Sequence, residues 1–291
     1  MVKSEIHMHS TFSDGEYSPA GLVDIARKNG VSILSLTDHD TFAGIREFLQ
    51  AAGESEVECF PGIEITTSYR DFNLHLLGYF KSAESILPDL KERVESMTEA
   101  RQKRMHELID RINEVIPKEF RGTILFENVR KAAEGVLARP HLAREMVRLG
   151  IVPRTQVAFD KYLVEYNIEK KNLDIDEAIG LVRKSGGVPV LAHPGERSYS
   201  LCNPEKGRGY DQVHGMMEEL KSYGLLGLEC IYPYHERTGK VDYFKKLARE
   251  YELIITGSRD FHGFINYQTA DIFGTTRMDD DFLEKFKEVW G

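Results

Sequence analysis

His7 and His9 stand two residues apart in EIHMH, and Asp260 and His262 repeat that spacing in RDFH. In an extended strand residues i and i+2 leave the same face, so each pair can offer two donors to one cation. One such pair reads equally well as two half-buried histidines. A second pair near the other end of the chain shifts the balance, because closing a sheet into a barrel sets its first and last strands side by side. Other polar residues end or interrupt apolar runs: His39 after ILSLTD, Glu64 at the close of FPGIE, His193 at the end of VPVLAH and His75 inside LHLLGY. Six of the ten histidines fall at these positions. An imidazole or carboxylate buried there alone would cost on the order of several kcal/mol, and a divalent cation supplies the missing partner. Mixed imidazole and carboxylate donors suit Mn²⁺, Fe²⁺ or Zn²⁺ better than Ca²⁺.

Such donors need elements that bring them to one place. Seven short β-rich runs, at 5–9, 33–39, 58–67, 74–80, 188–193, 226–231 and 253–257, alternate with stretches of helical periodicity. That alternation is the pattern of βα units around a mainly parallel sheet, whose strand ends converge at one mouth when it closes. Helices are expected at 19–29, opened by Ser18 and Pro19, and at 210–223 and 241–251, with Gly30 and Gly224 placed as helix stops. Residues 83–184 differ, being charged and nearly free of strand patterning. They read as a helical insertion with one long amphipathic helix at 91–115 and shorter ones at 127–134, 140–149, 155–163 and 175–185. Gly122, Gly135, Gly150 and Pro153 separate them. The expected organisation is therefore an α/β barrel in two parts, 1–82 and 185–291, interrupted by a helical insertion over 83–184.

Composition sets the outer limits. Hydrophobic residues at 41% and charged residues at 29% are ordinary for a soluble globular chain, and no apolar run is long enough for a membrane helix. Residues 1–10 lack the apolar stretch of a secretory signal, so a cytoplasmic location and no membrane partner are expected. Cys59, Cys202 and Cys230 form no paired metal spacing and read as small buried hydrophobes. A net charge of −9 disfavours a long-range grip on nucleic acid, though not a short anionic ligand at a local positive site.

The segments IHMHSTFSDG, LTDHD, PGIE, HLLGY, ARPH, AHPG and SRDFHG, in this order, resemble the polymerase and histidinol phosphatase (PHP) family over nearly the whole chain. The resemblance implies a distorted seven-stranded (β/α)7 barrel, a trinuclear metal centre and phosphoester hydrolysis. Carried onto this sequence, it implies one ion held by His7, His9, Glu64 and Asp260, a second by Glu64, His75 and His193, and a third by Asp14, His39 and His262. Asp14 stands where some relatives have histidine. Glu64 would bridge two ions, and Glu64, Asp260 and His193 are the residues expected to carry catalysis. Arg139 and His141, in ARPH, match positions that some relatives use on substrate phosphate. Arg197 is a further candidate, displaced by one because Glu196 follows the AHPG glycine, and His235 in YPYH is a candidate for the mouth.

Three divalent ions bring six positive charges against the three negative ones of Asp14, Glu64 and Asp260, which leaves a pocket suited to phosphate. A hydroxide formed from metal-activated water would attack phosphorus in line with the leaving oxygen. The helical insertion would act as a cap limiting substrate size. It resembles, with RPH and AHPG, the branch containing nucleoside bisphosphate phosphatases and exonucleases of short RNA. Nucleotides or short oligonucleotides are therefore the expected substrates, with Phe12, Tyr199 and Tyr232 as aromatics able to stack on a base. Histidinol phosphate hydrolysis, a non-catalytic nucleic-acid-associated module and carbon–nitrogen hydrolysis are the rival readings. Arg259, where relatives commonly have serine, reads as a phosphate contact or an outward residue, and Arg101 and Arg104 read as a solvated helix face. Asp38 and Asp40, flanking His39, read as supporting rather than ligating groups.

Overall fold

The structure, a computed structural model, describes residues 1–53, 56–132, 137, 139–168, 172–195, 199–264, 273–279 and 281–291. Among these, nine strands form one sheet: β1 (Val2–Glu5), β2 (Ile33–Leu36), β3 (Glu58–Tyr69), β4 (Phe72–Tyr79), β5 (Leu173–Asp174), β6 (Val188–Leu191), β7 (Gly227–Ile231), β8 (Ile254–Gly257) and β9 (Arg277–Met278). Their order is β8-β7-β6-β4-β3-β2-β1-β9, with β5 beside β3. Six coincide with the runs read from the sequence, whereas β1 meets the run at 5–9 only at Glu5, so that His7 and His9 lie past its end. The two-residue strands β5 and β9 are too short to carry a period.

Beyond β1 and β8 the chain closes the sheet on itself. Met8 bridges Phe261 in parallel, with His9 N–H donating to the Phe261 carbonyl at 2.8 Å. The pairs β1/β2, β2/β3, β6/β7 and β7/β8 are parallel, whereas β4 runs antiparallel to both β3 and β6. The reversal follows from a tight return at Arg70, whose φ is 54°. It also sets the first half of β4 against the second half of β3, pairing His75 with Thr66. That register explains why His75 sits inside its run while His7, His39, His193 and Asp260 sit past the ends of β1, β2, β6 and β8.

The helices are α1 (Pro19–Lys28), α2 (Ile45–Ala52), α3 (Pro88–Val115), α4 (Phe126–Ala132), α5 (Arg139–Arg148), α6 (Thr155–Ala158), α7 (Ile175–Lys184), α8 (Val213–Tyr223), α9 (Pro233–Arg237), α10 (Val241–Glu250) and α11 (Phe282–Trp290). Ser18 caps α1, its Oγ accepting from Gly21 N–H at 3.2 Å, and Pro19 is the first helical residue. The apolar faces of α1 and α2 meet Met8, Leu34, Leu36 and Phe261, while α11 packs Phe282 and Phe286 against Ile6, Phe60, Tyr79 and Val190. The stretch expected as one helix over 155–163 is α6 followed by a π-type turn at Phe159–Leu163. That expected over 210–223 is a 3₁₀ turn, Tyr210–Gln212, followed by α8.

The chain divides into two compact units, Met1–Val94 with Asn172–Gly291, and Glu95–Lys171. The second unit has its own core, with Met105, Leu108, Ile112, Val129, Leu142, Met146 and Leu163 buried together. It is narrower than the 83–184 stretch because α7 packs on β3, β4 and β6, and belongs to the barrel unit. Among the described residues no helix is long and apolar enough to cross a membrane.

Candidate metal centre

Each of the nine candidate ligands lies in the barrel unit, and their side chains meet at one end of the sheet. His7 and His9 follow β1, His39 follows β2 and forms a parallel bridge to Glu64 on β3, His193 follows β6, and Asp260 and His262 follow β8. Glu64 is at the centre. Its Oε2 lies 3.2 Å from His7 Nε2, 3.2 Å from His9 Nε2 and 3.0 Å from His39 Nδ1. Its Oε1 lies 2.7 Å from His75 Nδ1 and 3.1 Å from His193 Nε2. Asp260 Oδ1 is 3.3 Å from His7 Nε2 and 3.0 Å from His9 Nε2. Asp14, on the loop after His9, faces His262 Nε2 at 3.4 Å and His39 Nε2 at 3.9 Å. Several backbones here are bent into the left-handed region, at Asp40 (φ 49°), His193 (φ 25°) and Asp260 (φ 51°), conformations that cost about 1–3 kcal/mol each in non-glycine residues.

Three groups of donors lie close enough to share an ion: His7, His9, Glu64 and Asp260; His39, Glu64 and His75; and His9, Asp14, His39 and His262. Within each, the donor atoms lie within 4.8 Å of one another. The first is the set expected from the sequence. The second has His39 beside Glu64 and His75, with His193 also reaching Glu64 Oε1, and the third gains His9. The chemistry of the first group can be tested on its own atoms. Bonds of roughly 2.0–2.2 Å at tetrahedral or octahedral angles separate neighbouring donors by about 3.0–3.5 Å. The four contacts among His7, His9, Glu64 and Asp260 fall at 3.0–3.3 Å. His7 Nε2 and Glu64 Oε2 are buried and make no hydrogen bond, although only 3.2 Å apart. A hydrogen bond needs a hydrogen near the line joining its atoms, whereas a shared cation needs only lone pairs directed at one point. The donors present fit a divalent cation.

A second layer of hydrogen bonds sets which ring nitrogen faces inward. His7 Nδ1 lies 3.0 Å from Glu229 Oε1, so its N–H donates there and Nε2 is the nitrogen turned toward Glu64 and Asp260. Ser13 gives its hydroxyl hydrogen to Asp38 Oδ1 at 2.6 Å, leaving Oγ as the acceptor for His9 Nδ1 at 3.4 Å. His262 Nδ1 donates to the Asp260 carbonyl at 2.8 Å, which turns its Nε2 toward Asp14. The Tyr232 hydroxyl donates to Asp260 Oδ2 at 3.2 Å. Glu5, fully buried, accepts from the Ser258 hydroxyl, Arg259 N–H, Gly274 N–H and the Thr276 hydroxyl, tying the segment that carries Asp260 back to β1. Glu229 and Glu5 went unremarked in the sequence. The one signal for Glu229 is a carboxylate within the apolar run LGLEC, whereas Glu5 stands among polar residues in KSEIH.

Electrostatics bind the cluster together. Burial raises the Glu64 carboxyl, but His39, His75 and His7 outweigh it and hold the group well below the usual carboxylate range. Asp260 is likewise raised by burial and pulled well down by His7 and His262. Burial opposes charge on His262, yet Asp14 and Asp260 raise it to about 10. Burial lowers His75 to about 4 against the pull of Glu64.

Other residues singled out from the sequence fare differently. Arg139 begins α5 in the helical unit, where its Nη1 donates to the Leu163 carbonyl at 3.3 Å and its guanidinium lies over Phe159. His141 is buried in the same helix. Arg197 lies outside the described residues. His235 does not line a mouth: its ring is fully buried, with Nδ1 donating to the Cys230 carbonyl and Nε2 accepting from Gly195 N–H, each at 3.0 Å. Arg259 is buried and ion-paired with Glu236. Arg104 is half-buried and donates to the Ile168 carbonyl at 3.4 Å, so it is no part of a solvated face. Asp38 and Asp40 accept from Ser10 and Thr66 respectively, through both a backbone N–H and a hydroxyl. Tyr199 lies face to face with His75, ring centres 4.2 Å apart, and is 40% exposed.

Residues 5–289 match the PHP domain family. The chain is 30% identical over 264 residues to the 5′-3′ exoribonuclease of Haemophilus influenzae, covering 89% of this chain and 90% of that protein. It is 25% identical over 266 residues to the 3′,5′-nucleoside bisphosphate phosphatase of Chromobacterium violaceum, covering 90% and 88%. A crystal structure of a metal-dependent phosphoesterase from Bifidobacterium adolescentis superposes with a TM-score of 0.78 at 25% identity, over 99% of this chain and 96% of that one.

Proposed function

Because the chain belongs to the PHP domain family of metal-dependent phosphoesterases, we propose that its substrates are nucleotides or short oligonucleotides. The 5′-3′ exoribonuclease and the 3′,5′-nucleoside bisphosphate phosphatase each match about nine-tenths of it, and both names describe hydrolysis of a nucleotide phosphoester. The observation that carries the reading is the convergence of His7 Nε2, His9 Nε2 and Asp260 Oδ1 with Glu64 Oε2 at separations fit for a divalent ion.

In this reading three ions of Mn²⁺, Fe²⁺ or Zn²⁺ type are held: one by His7, His9, Glu64 and Asp260; one by Glu64, His75 and His193; one by Asp14, His39 and His262. When bound, such ions polarise phosphoryl oxygens and make water a nucleophile near neutral pH. Glu64 presents its two oxygens to different groups of imidazoles, which is what a bridging carboxylate requires. Tyr232 fixes Asp260 Oδ2, leaving Oδ1 directed at His7 and His9. Tyr199 offers an aromatic surface next to His75, where a base can stack. Arg139 and His141 are proposed as phosphate contacts on the strength of the ARPH motif alone.

The test is metal analysis of the purified protein, followed by phosphate release from mononucleotides, nucleoside bisphosphates, sugar phosphates and histidinol phosphate, nucleotide release from short RNAs, and hydrolysis of an amide. Preference for a nucleotide class supports the proposal, whereas faster turnover of histidinol phosphate or of an amide overturns it.

A further inference from the structure

Glu229 lies on β7 with its carboxylate fully inside the barrel unit, and it reaches two candidate ligands at once. Its Oε1 and Oε2 lie 3.0 and 3.2 Å from His7 Nδ1, and Oε2 accepts the backbone N–H of His193 at 2.9 Å. That N–H belongs to one of the residues bent to positive φ, at 25°. The two ligands come from distant parts of the chain, and their rings stack at 5.7 Å. The carboxylate of Glu229 faces the outer nitrogen of His7, not the side where Glu64 and Asp260 wait.

We propose that Glu229 is the positioning residue of the metal centre: it fixes the Nδ1–H form of His7, so that Nε2 is a bare donor, and it holds the strained backbone that carries His193. The inference rests on the reading of His7 and His193 as ligands. An ionised carboxylate has only acceptor oxygens, so both partners of Glu229 must donate. A backbone N–H cannot do otherwise, and the imidazole is thereby committed. Glutamine breaks this symmetry. Its single carbonyl oxygen can serve His193 N–H, which leaves its amide N–H₂ facing His7 Nδ1. His7 must then move its proton to Nε2, the atom that would bind the ion. Outer partners of ligating histidines typically contribute 10- to 100-fold in metal affinity, a scale that applies to this carboxylate.

The experiment compares wild type, Glu229→Gln and Glu229→Asp for Zn²⁺ stoichiometry and affinity by chelator competition. The expected result is an affinity about 10- to 100-fold weaker in Glu229→Gln, with Glu229→Asp between it and wild type. Long-range ¹H–¹⁵N spectra of Zn²⁺-loaded wild type should show His7 protonated at Nδ1, a readout that does not depend on any variant folding. Zn²⁺ binding by Glu229→Gln equal to wild type, or a His7 ring protonated at Nε2 with bare Nδ1, overturns the role of Glu229 while leaving the metal centre standing. Wild type that binds no divalent ion overturns both.

Discussion

Glu64 faces five imidazoles, three through Oε2 and two through Oε1. Removing it should do more than remove one donor, since every ion that shares this carboxylate loses a bond. Glu64→Ala is expected to lower turnover by more than about a hundredfold, beyond the range seen for outer partners, and to reduce bound metal per chain. A variant with full activity and full metal content would contradict the site. Arg139 calls for a different outcome. A guanidinium that touches substrate phosphate equally in ground and transition states contributes uniform binding, so Arg139→Ala should raise KM about tenfold with kcat nearly unchanged. Steady-state kinetics that leave KM untouched would withdraw Arg139 from that role, and its bond to the Leu163 carbonyl would stand as its whole function.

At the level of elements, the sequence carried the strands well because each donor interrupts or ends an apolar run, and that is where parallel strands deliver side chains to a common mouth. His75 was visible as a donor but not as a neighbour of Thr66, because sequence period does not tell that β4 runs backwards. Glu229 was missed for a related reason: alternation in LGLEC reads as a half-exposed strand, whereas its polar face points into the barrel and its carboxylate meets His7. The limits of the helical unit were blurred since α7 is as amphipathic as the helices before it, and a period does not say which surface it covers. His235 illustrates the same gap, a histidine beside a candidate mouth that is in fact a neutral link between Cys230 and Gly195. Burial lowers it to about 4 from 6.5. Its folded pKa being depressed, its contribution is present above pH 6.5 and is lost as pH falls through 4, on the order of 3 kcal/mol in all. Denaturant melts of wild type and His235→Gln between pH 7 and pH 4 should therefore converge as pH falls, and parallel curves would show that the ring is not held neutral.

For the whole molecule, net charge is −9, and the donor cluster concentrates opposite charges that must be compensated by protons or by cations. In protein stripped of metal by a chelator, His262 has its pKa raised to about 10, so its stabilising charge is complete below about 6.5 and is lost as pH rises through 10. Glu64 and Asp260 are depressed, so their contribution is present above about pH 4 and is lost below their lowered folded values. These groups together make chelated protein progressively less stable from neutral to alkaline pH. Ions reverse the trend, because imidazoles must shed protons to bind them, and binding strengthens as pH rises. Binding to the folded state alone then adds stability as RT ln(1 + [L]/Kd), about 2.7 kcal/mol when free ion is a hundred times Kd. The Tm of Mn²⁺- or Zn²⁺-loaded protein should exceed that of chelated protein, and the gap should widen from pH 6.5 to pH 8.5 with proton release on titration. A gap that closes over that interval would mean that the histidines and carboxylates at the barrel mouth are held by protons alone, and that the cations act somewhere else.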